Sequence, residues 1–578
     1  MAPRKVVCLV MTGLVVTGLL AASGAAANAD SSSLRWPAGQ PLPHFAAPNH
    51  LDVADASSLP ADQQLLFNTL EGLVNRTQPR MYLLWASDEG TRTWLDTLRH
   101  EFGVPLSRNH NPWTLLRRYR SSVAGMIVYD PAVPDSLNVA TSLAGVDRAV
   151  VASPALAATL AAAPYHLPLI QDLRGRFTGR LDAYRWAYDH LWAPGAVTHR
   201  MLVGLPPFQG PSVHLADVGA VNLPLEPVYD SGALPGEPFP WLRDYAVDAG
   251  AMVVWLDHNE PAERSLLEQV LRGMPPDSPY LGAHAGDVAG EITIVALLSS
   301  HSVYEVAADF FNNGSVFGGV RPKITKASAG SHRPAFDPKK VYVTFTMSDG
   351  DNIQYDQRRL RLLWDNPARG TVPINWTISP LLLDAAPAIF DYFTRGATPN
   401  DLLMAGPSGA GYAYPSSWPE KTWRMFTRRT GTAMRAAGIT TLDVLNAPNG
   451  VRMPLSQPHA RDYFRDVKPS GVMLNYNFFP ECRTDNAIAG DTPVVTGCII
   501  SSSSTAQGET EFDVDQQARR CRALAEQPCF ISIEFTAWNV TPADVAAVAR
   551  TLRQQDPNYA FVTADRYFEL VRHAHRAS

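Results

Sequence analysis

Cysteine is scarce in this chain of 578 residues: there are five, and one of them, Cys8, falls in the first apolar run. Beyond that run no stretch approaches the ~20 consecutive apolar residues that cross a bilayer as a helix. Positive charge is not in excess either. The 49 Lys and Arg stand against 55 Asp and Glu, for a formal net charge of -6. Without a net positive field to release phosphate counterions, a strongly basic nucleic-acid binder is excluded, and no nucleic-acid partner is expected. Charged residues make up 18% and hydrophobic residues 46%, which is not the composition of a disordered chain. The first half has no Gly-x-Gly-x-x-Gly or phosphate-binding Gly-x4-Gly-Lys loop, so nucleotide binding has no signal there. There is no His-x3-His, and the last 240 or so residues contain only His459, His573 and His575. A zinc site, and with it a zinc-dependent polysaccharide deacetylase, is poorly supplied with ligands. No Gly-x-Ser-x-Gly elbow occurs, which argues against a serine hydrolase. Neither a cofactor nor a metal is expected.

Residues 1–29 read as a secretory signal peptide. Arg4 and Lys5 are followed by the apolar run Val6–Ala22, and Ala27-Asn28-Ala29 forms a small-residue cleavage site. Cleavage after Ala29 predicts a secreted protein with no membrane segment left. The remaining cysteines, Cys482, Cys498, Cys521 and Cys529, all lie in the last hundred residues. Four cysteines allow three pairings, and an oxidising compartment favours disulfides over a thiolate metal site. Proximity favours Cys482–Cys498 and Cys521–Cys529.

Two halves follow the leader. Residues 321–340 are polar, contain Pro and have neither helical nor strand period, so a boundary is placed near residue 330. Residues 30–330 read as an α/β region of one or two subdomains. Ala61–Arg76 has one apolar helical face, and Met81–Trp85, Gly125–Tyr129, Arg148–Ala152, Met252–Leu256 and Ile292–Leu298 read as strands. In residues 331–578 short apolar runs alternate with helical stretches. The runs are Val341–Met347, Ile374–Ile378, Leu402–Ala405, Thr441–Leu445, Val472–Leu474, Phe530–Ile533 and Tyr559–Val562. That rhythm predicts an α/β fold with a C-terminal TIM-like (β/α) barrel. An open doubly wound sheet would produce the same alternation.

In both architectures ligands bind at the carboxyl ends of the strands. The residues just past each run are rich in acids, amides and aromatics: Asp349, Asp351, Asn352, Tyr412, Tyr414, Trp418, Asn475, Asn477, Glu481, Glu534, Trp538 and Asn539. Amides and carboxylates pair with sugar hydroxyls, and Trp and Tyr stack on the apolar faces of sugar rings. Glu534 stands in Phe530-Ile-Ser-Ile-Glu-Phe535, where alternation sets it on the face shared by Ser532. A Glu inside a buried strand is costly unless it is paired or used. Asp349-Gly350-Asp351 follows the first strand of the half. Two carboxylates from separate strands are the minimal equipment for glycoside hydrolysis, one protonating the leaving oxygen and the other attacking or activating water. Glu534, Asp349 and Asp351 are therefore the candidate catalytic residues. Gly409 and Gly411 would let backbone approach a ligand beside Tyr412 and Tyr414.

The string Gly409-Ala-Gly-Tyr-Ala-Tyr-Pro415 matches every fixed position of the signature for which the GxGYxYP family of putative glycoside hydrolases is named. Ser348-Asp-Gly-Asp-Asn352 resembles that family's C-terminal domain, and Ala61–Trp85 resembles its N-terminal partner. The resemblance covers most of residues 40–570. It implies an exported two-part enzyme with a barrel-like catalytic half and a carbohydrate substrate. A non-catalytic glycan-binding protein of the cell envelope would use the same aromatics for binding and the same acids for structure.

Overall fold

The computed structural model describes residues 34–577 except 35, 38, 86–89, 210–235, 286–290, 329, 331–333, 476–486, 497–498, 502–506 and 524–527. The signal-peptide reading lies outside the described residues. So do Asn477, Glu481, Cys482 and Cys498.

Three small parallel sheets precede the barrel. The first has β1 (Leu51–Asp55), β2 (Met81–Leu84) and β3 (Leu106–Asn109) in the order β2-β1-β3. The second has β4 (Gly125–Val128), β5 (Ala149–Ala152) and β6 (Leu169–Asp172) in the order β5-β4-β6. The third has β7 (Thr198–Gly204), β8 (Ala251–Val254), β9 (Ser278–Gly282) and β10 (Val303–Ala307) in the order β10-β9-β7-β8. Helix Ala61–Asn75 is buried on nearly every side, because it packs against both β5 and helix Arg243–Ala249. The run Ile292–Leu298, expected as a strand, is part of helix Glu291–Ser300. A seven-residue apolar run cannot separate a buried strand from a buried helix.

Described residues of the 321–340 stretch are tied to the barrel by hydrogen bonds. The Thr325 amide donates to Asp391 Oδ1 at 3.1 Å, the Ala327 amide to the Ala437 carbonyl at 2.8 Å, and the Asp337 amide to the Tyr342 hydroxyl at 2.7 Å.

The last sheet has ten strands. They are β11 (Val341–Met347), β12 (Ile374–Ile378), β13 (Asp401–Ala405), β14 (Thr441–Leu445), β15 (Gly471–Asn475), β16 (Ala487–Ala489), β17 (Thr492–Thr496), β18 (Ile499–Ser501), β19 (Cys529–Phe535) and β20 (Tyr559–Phe561). The order is β16-β17-β15-β14-β13-β12-β11-β19-β18, with β20 beside β11, and every pairing is parallel except β16 with β17. The sheet curls nearly closed as a barrel. Ser532 on β19 touches Met473 Sδ on β15 at 2.8 Å, although five places in the strand order separate them, so this contact crosses the bore. Helices fill the crossovers. The one after β19, Pro542–Gln555, starts on a capping box between Thr541 and Asp544 with Pro at its first position. Cys521 and Cys529, with Cα atoms 5.9 Å apart, form a disulfide that ties helix Gln507–Ala523 to the start of β19.

Candidate active site

Strand register decides which side chains enter the bore. Tyr342, Thr344 and Thr346 on β11 lie opposite Phe530, Ser532 and Glu534 on β19. Thr346 lies opposite Asn375 on β12, and Asn375 opposite Leu402 on β13. Asp443 on β14 lies opposite Met473 on β15. Alternation along each strand puts all of these on the face that carries the Ser532–Met473 contact.

The bore has an apolar end and a polar end. Tyr342, Leu402, Met404, Met473 and Phe530 form a core with Tyr567 and Phe568 of the last helix. Toward the carboxyl ends of the strands, Asn375 Nδ2 donates to Thr344 Oγ1 at 2.8 Å and Thr346 Oγ1 at 3.1 Å, and Asn375 Oδ1 accepts from the Ala564 amide at 2.7 Å. Glu534 lies in this polar end and is 3% exposed.

Asp443 is a bore carboxylate that reading past the strand ends misses. It is 1% exposed and sits between Leu442 and Val444. The signal for it was present: a lone acid on the alternating face of an apolar strand, the same pattern that singles out Glu534.

Above the bore, the loops after β11 and β19 interlock. The Ser348 amide donates to the Phe535 carbonyl at 3.0 Å, and the Ala537 amide to Ser348 Oγ at 3.3 Å. Asp349 has a left-handed φ of +72°. Burial pushes its carboxyl above the usual carboxylate range, and hydrogen bonds from the Ser348 hydroxyl, the Trp538 side chain and the Ala537 amide partly offset that. Asp349 and Trp538 therefore belong to one cluster at the end of the Glu534 strand. Arg359 holds that loop from below, donating to the Ala537 carbonyl at 3.2 Å and the Trp538 carbonyl at 2.9 Å. Trp538 is half-buried, with its ring 5.4 Å from that of Tyr355.

Asp351 is 7% exposed. Asn352, expected to bind substrate, uses Oδ1 to accept the Tyr355 amide at 3.0 Å and cap helix Ile353–Gln357. Asn475 closes β15.

The glycine–tyrosine loop, expected to cradle a ligand, packs against protein. A Cβ on Gly411, at φ +125°, would fall 2.2 Å from the Tyr304 ring of β10, and one on Gly409 would fall 2.6 Å from Thr430 Cγ2. Tyr412 exchanges backbone hydrogen bonds with Glu305 of β10 at 2.8 and 2.9 Å. The Tyr412 and Tyr414 hydroxyls are 3.0 Å apart, and both residues are buried. Trp418 is also buried, with Trp423 and Phe426 against it. Tyr412, Tyr414 and Trp418 are thus all buried against protein, and Tyr412 joins the third sheet to the barrel loop. Among the described residues no helix is long and apolar enough to cross a membrane, and no group of three or more His, Cys, Asp or Glu is placed to hold a metal ion.

Four family models match the chain. Residues 339–572 match the "GxGYxYP putative glycoside hydrolase C-terminal domain". Residues 50–121, 123–196 and 229–319 match the first, second and third domains of the family's N-terminal part. Each of the three contains one of the small sheets or most of it. No curated protein matches the chain. Among solved structures, the crystal structure of a "putative hydrolase" from Bacteroides thetaiotaomicron VPI-5482 has a similar fold. Its TM-score is 0.76 at 17% identity, over 94% of this chain and 98% of that one.

Proposed function

Because this chain belongs to the GxGYxYP family, we propose that it is an exported glycoside hydrolase that cleaves glycosidic bonds of a poly- or oligosaccharide with paired carboxylates. The observation that carries the reading is the placement of Glu534 at the polar end of the barrel bore, on the strand whose following loop binds Asp349. Glu534 is assigned as nucleophile or base. Asp349, which burial keeps toward its protonated form, is assigned as the acid that protonates the leaving oxygen. Asp351 is the alternative partner. The half-buried Trp538 offers a ring at the mouth. Export is supported by the leader at residues 1–29 and by the Cys521–Cys529 disulfide, which belongs to an oxidising compartment.

The test is to compare wild type with Glu534→Gln, Asp349→Asn and Asp351→Asn on a panel of aryl glycosides and soluble oligosaccharides, scoring turnover and binding separately. Turnover lost with binding kept supports the assignment. A wild type that binds glycans and cleaves none would make this a glycan-binding protein.

A further inference from the structure

Loops from the carboxyl ends of two parallel sheets meet at one helix. Helix Glu291–Ser300, which connects β9 to β10, packs against the short turns Pro415–Ser417 and Pro448–Gly450 that follow β13 and β14. The Tyr414 amide donates to Ser299 Oγ at 3.0 Å, and Ser302 Oγ lies 2.6 Å from Thr422 Oγ1, which pins the end of the helix to the barrel. The loop after β8 meets the first turn of the same helix, where His258 Nε2 is 2.6 Å from Thr293 Oγ1.

These elements enclose a cavity of about 360 Å³. That is the size of a small-molecule site, and ligands of parallel α/β sheets bind outside the carboxyl ends of the strands. Thr293, Ala296, Leu297 and Ser300 line it from one face of the helix. Arg264 lines it from the helix after β8, and Ser417 and Asn449 line it from the barrel. Arg264, Ser300 and Asn449 are exposed, so the cavity opens to solvent.

The lining can carry positive charge, on Arg264 and His258, and none of its residues is acidic. The acids close to it in sequence are engaged elsewhere. Asp257 Oδ1 accepts the Asn259 amide at 2.8 Å, and Glu263 Oε2 accepts the Asp257 amide at 2.7 Å and lies 3.5 Å from Arg180. Glu268 takes the Nε edge of Arg264 at 3.0 Å, which leaves the two Nη groups of the fork to donate to a ligand. A guanidinium matches a carboxylate. Beside it, Ser300, Ser417 and Asn449 offer partners for hydroxyls, and Ala296 and Leu297 offer an apolar strip for a C–H face.

We propose that this cavity is a subsite for an acidic sugar, a uronate residue of the substrate chain, held by Arg264 from the third N-terminal sheet and by Asn449 from the barrel. The proposal rests on the carbohydrate reading above and narrows the substrate class to an acidic poly- or oligosaccharide.

The experiment is calorimetric titration of wild type, Arg264→Gln and Asn449→Asp with trigalacturonate and trimannuronate, and with cellotriose, mannotriose and sodium sulfate for comparison. Thermal melts establish that each variant folds. Asp accepts the left-handed φ of +54° at position 449 as Asn does, so that variant changes charge while keeping shape. Wild type should bind a uronate trimer about ten-fold more tightly than the neutral trimers. Each variant should lose about ten-fold of the uronate affinity, the worth of one hydrogen bond to a charged group, with neutral binding unchanged. Uronate binding indifferent to either substitution, or sulfate binding as tight as the uronates, overturns the subsite and leaves the hydrolase reading standing. A wild type that binds no uronate also overturns the subsite. If it still binds or cleaves a neutral saccharide, the hydrolase reading stands; if it binds and cleaves none, both fall.

Discussion

Gly350 is the position where one methyl group should separate fold from function. A Cβ added there would lie 2.0 Å from the Thr377 carbonyl carbon and 2.2 Å from the Ile378 amide nitrogen. Both are backbone atoms of β12 and cannot swing aside as a side-chain tip can. Reaching an ordinary contact at 3.4 Å requires the loop to withdraw by about 1.4 Å. Gly350 has no left-handed φ, so the penalty is steric alone. The withdrawal breaks the 3.0 Å hydrogen bond from the Gly350 amide to Thr377 Oγ1 and lifts Asp349 away from Trp538 and Ala537. Overpacking of this kind costs about 1–3 kcal/mol in stability. A displacement of ~1 Å at a reacting group costs on the order of a hundred-fold in rate. Gly350→Ala should therefore stay folded, with a lower urea midpoint, while kcat/KM on whichever aryl glycoside the wild type cleaves falls by about two orders of magnitude. Gly179→Ala is the control, since a Cβ there meets nothing within 4 Å and the backbone is extended. A Gly350→Ala enzyme with unchanged kcat/KM would refute the placement of the Asp349 loop in the site.

Two further outcomes follow from groups away from the mouth. Replacing Cys521 and Cys529 together by Ser opens a loop with a sequence separation of 8. That should cost about 2.5 kcal/mol of unfolding free energy on the loop-entropy relation, and an unchanged denaturation midpoint would refute it. Glu71, Asp244 and Asp248 are fully buried between helices Ala61–Asn75 and Arg243–Ala249, and burial raises all three, Asp244 to about 7. A raised carboxyl favours the fold in its protonated form. Its contribution is complete below the unfolded value near 4 and is lost as pH rises through about 7. The urea midpoint should fall between pH 5 and pH 8, and Glu71→Gln should flatten that fall. A wild-type midpoint that does not move over this interval would count against a buried acid cluster.

The barrel was legible because its strands are short, apolar and each closed by polar residues. Val341–Met347 and Thr441–Leu445 can be read directly as strands of the observed extent. The strands from β16 to β18 did not stand out. They are three to five residues long and lie in a polar, Thr- and Ser-rich stretch whose pairing is decided by neighbours distant in sequence. Ile292–Leu298 failed for the opposite reason: an apolar run without interruption carries no period to read.

The site divides along a similar line. Alternation within one strand is a local property, so the face of Glu534 could be read from six residues, and Asp443 would have followed from the same rule applied to β14. Where a glycine leads is not local. Gly411 gives no hint in sequence that the atom it makes room for belongs to Tyr304, on a strand more than a hundred residues earlier. The aromatics of the signature loop were expected to face a ligand and instead join the two halves. That contact explains why they would matter without touching substrate: the Tyr412–Glu305 bridge sets where β10 ends relative to the barrel mouth.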